Sequence, residues 1–167
     1  MRLLLIIITG LLFTCSTTDA QNYTRSLGVR GGFSSGLLYR NYKYDYQARE
    51  LMLSVYSNGM KITYLFEQFR PAEFKFADEN MWLVYGFGAH AGWHVTDHYE
   101  IFFTKYYYEN RMIAPLLGID GLIGLEYHLQ EFPLIFGADY KPFLQFSTRQ
   151  FFNLNLSDVA FSVKYKF

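Results

Sequence analysis

"DVAFSVKYKF", residues 158–167, closes the chain and places Val159, Phe161, Val163, Tyr165 and Phe167 on alternate positions up to the last residue. Ala160, Ser162, Lys164 and Lys166 stand between them. A period of two describes a β-strand with one large apolar face and one small or charged face. Chain ends of water-soluble domains are usually frayed and polar. The inside or outside position of the apolar face therefore decides what kind of protein this is.

The same two-faced pattern recurs upstream. In "LLGIDGLIGLEYH", residues 116–128, Leu117, Ile119, Gly121, Ile123, Leu125 and Tyr127 oppose Gly118, Asp120, Leu122, Gly124, Glu126 and His128. In "LIFGADYKPF", residues 134–143, Leu134, Phe136, Ala138 and Tyr140 oppose Ile135, Gly137, Asp139 and Lys141. Near the start, Leu27, Val29, Phe33 and Leu37 oppose Gly28, Arg30, Gly32, Ser34, Gly36 and Arg40. A water-facing surface favours long Lys and Glu over repeated glycines. Glycine interleaved with ionisable groups suits a confined interior, where buried charges need room and partners. The apolar face then meets lipid.

Runs of this type are expected near 26–42, 48–57, 60–70, 81–94, 99–108, 114–129, 133–147 and 156–167, and no stretch shows a capped helical period. The expected fold is all-β, an eight-stranded antiparallel up-and-down transmembrane β-barrel. The run containing "YEIFFTKYYY" alternates poorly. Asn58-Gly59, "VTDH" (95–98) and "QEFP" (130–133) read as short turns, whereas "KYDYQ" (43–47) and "RPAEFKFADEN" (70–80) are longer and more polar. That parity predicts short turns at one end and long loops at the other, as in outer-membrane barrels. Aromatic residues make up 20% of the chain, more than a small core accommodates. Tyr39, Tyr42, Tyr44, Tyr46, Phe69, Phe74, Phe76, Trp82 and Tyr106 to Tyr108 are assigned to the long-loop rim. Trp93, Tyr99, Tyr127 and Phe132 are assigned to the short-turn rim. Two such girdles mark membrane interfaces.

The N-terminus supports export. Arg2, an apolar run from Leu3 to Phe13 and small or polar residues up to Ala20 have the layout of a secretory signal peptide, too short for a spanning helix. Residues 1–20 are thus set apart from a barrel domain of 21–167. Cys15, the only cysteine, falls inside that segment and is read mainly as a discarded signal residue, a lipidated thiol being the alternative. The 15 basic and 15 acidic residues give no excess for neutralising phosphates, so nucleic acid is not an expected partner.

The alternating ending with its terminal Phe167 resembles the C-terminal signal of outer-membrane β-barrels of Gram-negative bacteria. The segments "SLGVRGGFSSGLLYR" (26–40) and "GIDGLIGLEYHL" (118–129) are similar to small outer-membrane barrel domains of the porin-family or uncharacterised type. The resemblance implies outer-membrane lipid as surroundings and the barrel-assembly machinery as partner during insertion, with Val159, Phe161, Val163, Tyr165 and Phe167 as the signal. It implies both termini in the periplasm, and a monomer is expected.

Chemistry is weakly signalled. None of His90, His94, His98 or His128 has a Ser two positions away, so the His and Ser pair of lipid A deacylases is absent. An omptin-like protease requires a larger barrel, and Asp78 with Glu79 reads as an acidic turn. His90 and His94 on one strand face lie about 13 Å apart, too far to share a metal. Neither metal nor cofactor is expected. Arg30, Lys61, Glu67, Asp120, Glu126, Asp139 and Lys141 are the expected lumen charge network, read as a balanced plug rather than an ion path or active site. Eight strands leave an interior about filled by side chains. The expectation is a non-catalytic barrel with a structural, surface-interaction or small-solute role. The alternatives are a lipid- or peptide-modifying enzyme and a soluble lipocalin-like carrier.

Overall fold

Ten β-segments, β1 (Arg25–Gly32), β2 (Ser35–Tyr44), β3 (Gln47–Tyr56), β4 (Gly59–Pro71), β5 (Met81–Ile101), β6 (Thr104–His128), β7 (Leu134–Tyr140), β8 (Phe143–Ser147), β9 (Asn153–Asn155) and β10 (Val159–Lys166), make up the computed structural model. It describes residues 23–44, 46–56, 59–73, 78–101, 104–148 and 152–167, and within 96–112 the backbone. The expected signal segment, with Cys15, lies outside the described residues.

All pairings are antiparallel. The order β5-β4-β3-β2-β1-β10-β7-β6 closes through β5 against β6. Both β7 and β8 pair with β6, and β10 and β9 pair with β7 and β8 in turn. These four segments therefore form two staves, and the barrel has eight. Pro142, which has no N–H to donate, sits in the break between β7 and β8. There Gly121 N–H reaches the Pro142 carbonyl and Lys141 N–H the Asp158 carbonyl.

Two expected runs are corrected. Run 26–42 is two strands, β1 and β2, reversing at Phe33-Ser34. Val29 faces Leu37 and Arg30 faces Gly36, so residues of the same parity pair. The inside-outside alternation passes through this reversal unbroken, and periodicity alone is blind to it. Run 99–108 is no separate stave. It is divided between β5 and β6, which pair from Met81–Tyr127 up to Ile101–Thr104 with a register shift between Thr96 and His98. The eight staves remain because one run was counted short and another in excess.

The parity of the connections changes accordingly. The end at which the described chain begins, at Tyr23, and at which Phe167 lies also carries the β2–β3, β4–β5 and β6–β7 connections. The far end carries the reversal at 33–34 and the β3–β4, β5–β6 and β8–β9 connections. Beyond Gly59–His94 and Leu116–Ser147, β5 and β6 pair only with each other. This two-stranded ribbon of about 20 Å projects from the far end.

Burial is inverted relative to a water-soluble protein. Arg40, Lys61 and Lys141 are among the largest fully buried side chains, while Phe161 is 72% exposed, Phe87 69% and Ile119 61%. Along β10, Ala160, Ser162 and Lys164 are buried, and Val159, Phe161, Val163 and Tyr165 are exposed. A small apolar cluster of Leu38, Ala48, Met52, Leu65, Phe69, Val84 and Leu122 fills one side of the lumen.

The rim assignments need revision too. Tyr127 and Phe132 share an end with Tyr44, Tyr46 and Trp82, because the 129–133 connection lies at the terminus-bearing end. Tyr42 and Trp82 pack against the apolar cluster and Phe69 belongs to it, so these three line the interior rather than an outer girdle. Trp93 lies at the far end, paired with Met60 and Pro115. Phe74 and Phe76 lie outside the described residues.

Candidate functional site: the charged lumen

The inward face of every stave supplies a charged or titratable side chain, and these groups fall into two layers. Nearer the termini, Arg40 on β2 is the hub. Its Nε lies 3.0 Å from Glu50 Oε2 and 2.7 Å from Glu67 Oε2, and its Nη1 lies 2.8 Å from Glu126 Oε2. Lys164 on β10 reaches Glu126 Oε1 at 2.6 Å and Glu50 Oε2 at 3.3 Å. Three carboxylates from β3, β4 and β6 thus converge on two cations from β2 and β10. His128 Nε2 lies 3.4 Å from Glu126 Oε2, and the Arg40 guanidinium is 5.1 Å from the Phe69 ring.

The second layer lies toward the far end. Arg30 on β1 pairs with Asp139 at 2.6 Å and Asp158 at 3.0 Å, and donates from Nη1 to the Ser34 carbonyl and hydroxyl, each at 2.6 Å. Ser34 in turn donates to Asp158 Oδ2 at 2.6 Å. Lys141 bridges Asp120 at 2.9 Å and Asp158 at 3.2 Å. His90 Nδ1 lies 2.6 Å from Asp120 Oδ2. The Lys61 ammonium sits 3.7 Å from the centre of the Phe143 ring, a cation–π geometry in a desolvated setting.

Glycine makes this crowding possible. A Cβ at Gly118 would overlap the His90 imidazole, and one at Gly137 would meet Ser162 Oγ at 2.6 Å and Glu126 Cγ at 3.5 Å. At these two positions the missing side chain is the room that a neighbouring polar group occupies.

Of the seven residues assigned to the lumen from sequence, Arg30, Lys61, Glu67, Asp120, Glu126 and Lys141 are buried, and Asp139 is 16% exposed at its side chain. They do not form one network. Glu67 and Glu126 belong to the first layer, and Arg30, Asp120, Asp139 and Lys141 to the second. Asp139 and Lys141, two apart on one face, are tied to different partners, Arg30 and Asp120. The selection missed Arg40, Glu50, Asp158, Lys164 and His90. For Arg40 and Lys164 the signal was present, since both stand on the small or charged face of an alternating run. Asp158 precedes its strand, and only tertiary packing brings it between Arg30 and Lys141.

No protein-family model, curated protein or solved structure matches this chain.

Chemically, the buried ion pairs hold staves together in fixed register. The Asp120–His90 contact has the form of an orienting carboxylate on an imidazole. However, Asp120 also holds Lys141, and neither His90 Nε2 nor the hydroxyl of its register neighbour Thr63 has a hydrogen-bond partner. Both side chains are enclosed. Among the described residues no cluster of three His, Cys, Asp or Glu is arranged to hold a metal. At the turn formed by Asp78 and Glu79, Asp78 accepts from the Tyr127 hydroxyl at 3.2 Å.

Proposed function

We propose that this protein is an integral outer-membrane β-barrel with a closed, charge-filled lumen and a non-catalytic role in structure or surface interaction. The observation that carries the reading is the inversion of burial: paired charges inside, and a continuous belt of Leu, Ile, Val, Phe and Tyr outside. Such a belt is a liability in water and a requirement in hydrocarbon. Closure leaves no unpaired strand edge in the barrel wall, as a lipid environment demands. A soluble carrier would need the apolar face inside, lining its ligand.

Export through a signal peptide at residues 1–20 leaves both termini in the periplasm, since eight staves return the chain to its starting side. The β5–β6 ribbon then projects outward and supplies the interaction surface. Val159, Phe161, Val163, Tyr165 and Phe167 act as the assembly signal in the closing strand. The two ion-pair layers act as the plug, so neither solute nor ion passes steadily, and one chain completes the barrel without a partner subunit.

Extraction tests the reading. Membranes containing the protein should retain it through sodium carbonate and release it into detergent, and the folded form should migrate differently from the boiled form on a gel. Release by carbonate without detergent would overturn it.

A further inference from the structure

We infer that the outer face at the terminus-bearing rim holds a binding site for a glycerophospholipid with a net negative headgroup. The inference rests on the membrane-barrel reading above.

Two adjoining grooves, of about 470 and 370 Å³, run across the outer surface where β2, β3, β4 and β5 approach that rim, and they share Gln47, Gln68 and Tyr85. Their exposed charged groups are all cationic: Lys43 and Arg49 line the larger groove and Arg70 the smaller. Glu67 is the one carboxylate among the lining residues, and its fully buried side chain is turned inward to Arg40. Among the described residues none of the three cations is in an ion pair.

The cations are positioned by rings. The Arg49 guanidinium lies 5.7 Å from the Phe66 ring centre and that of Arg70 lies 5.6 Å from the Tyr85 ring centre. A guanidinium against a ring has one side shielded from water and keeps its donors for an oxyanion. Arg's fork matches a phosphate diester, which carries one negative charge at neutral pH. The Tyr85 hydroxyl donates to Gln68 Oε1 at 2.9 Å, which leaves the Gln68 amide N–H groups to donate toward headgroup oxygens.

Away from the rim the same surface becomes apolar. Phe66 packs on Phe87 at 5.7 Å and edge-on against Tyr64 at 5.1 Å, and Phe87 is 69% exposed. Cations, then aromatic rings, then the belt reproduce the order of phosphate, glycerol and acyl chain in a lipid leaflet. A free anion would use only the first of these, so the occupant is the lipid itself.

The test uses the full chain, folded into vesicles of phosphatidylethanolamine with a minor fraction of phosphatidylglycerol. Carbonate resistance is scored first, and a failure there defeats the membrane reading rather than this inference. Native mass spectrometry of the integrated protein then counts retained lipids. Phosphatidylglycerol should be enriched over its bulk fraction, and Arg49→Gln and Arg70→Gln should each cut the enrichment about fivefold. Arg25→Gln, a cation elsewhere on the same rim, should leave it unchanged. Integrated protein that shows no preference, or a preference untouched in the Arg49→Gln/Arg70→Gln double variant, would overturn the site.

Discussion

Phe167 and Arg25 exchange both backbone hydrogen bonds: Arg25 N–H donates to the Phe167 carbonyl at 3.1 Å, and Phe167 N–H to the Arg25 carbonyl at 2.9 Å. The last residue of the chain is therefore part of the seam between β1 and β10, which continues through Val29–Val163 to Gly32–Ala160.

Removing Phe167 is expected to open the last rung of that seam and the end of the apolar stripe. On the proposed outer-membrane reading, synthesis and export should be little changed, whereas the membrane fraction showing heat-modifiable mobility should fall severalfold. Two lost backbone bonds of about 1 kcal/mol each set the scale. An undiminished folded fraction would count against the assembly role.

Inside and outside can be told apart at neighbouring positions. Ile123 is 50% exposed in the middle of the belt, and Ile123→Lys should destabilise the membrane-inserted barrel by about 2 to 4 kcal/mol in urea unfolding from vesicles. Asp120→Leu lies on the opposite face and should also destabilise, because it removes the carboxylate partner of His90 and leaves Lys141 with Asp158 alone. A harmless Ile123→Lys together with a stabilising Asp120→Leu would reverse the assignment.

The Arg40 hub concentrates more opposite charge than any other described residue. Arg40→Met leaves Glu67 without its ion pair and Glu50 and Glu126 held by Lys164, and a loss of about 3 to 5 kcal/mol is expected. Adding Glu67→Gln should restore part of it, since one uncompensated carboxylate is then removed. Unfolding midpoints of the single and double variants give the comparison.

Gly118 tests the crowding of the lumen. Gly118→Val places branched carbons where the His90 ring lies and should cost about 1 to 3 kcal/mol while shifting the His90 imidazole resonances in NMR spectra. Gly121, whose nearest neighbour for an added Cβ is Pro142 at 3.6 Å, is the matched control and should accept Ala with little change.

Planar-bilayer recording addresses the plug. With both layers intact, steady ion-selective channels should be absent, and the Arg40→Met variant should show more frequent current bursts than the parent. Steady wild-type conductance would contradict a closed lumen.

Alternation alone carried the inside-outside split. In "LLGIDGLIGLEYH" each residue's face followed from its parity, and Asp120 and Glu126 are buried where Ile119 and Ile123 are exposed. Strand ends were less legible. The same-parity hairpin at Phe33-Ser34 leaves the pattern continuous, and the cluster Gly31-Gly32-Phe33-Ser34-Ser35-Gly36 was the one local mark of a reversal. The projecting ribbon escaped notice for the opposite reason: where β5 and β6 have only each other, no lumen exists to impose a small inward face.

What the sequence by itself determined is thus the fold class, the polarity of each face and the pairing of a two-faced last strand with the first. Which charge meets which was decided by the tertiary structure. Arg30, Asp139 and Asp158 belong to three different staves, and Arg40, Glu50, Glu67, Glu126 and Lys164 to five. Strand periodicity sets the direction of a side chain, but its height within the barrel depends on register and stagger, which only the closed set of staves establishes.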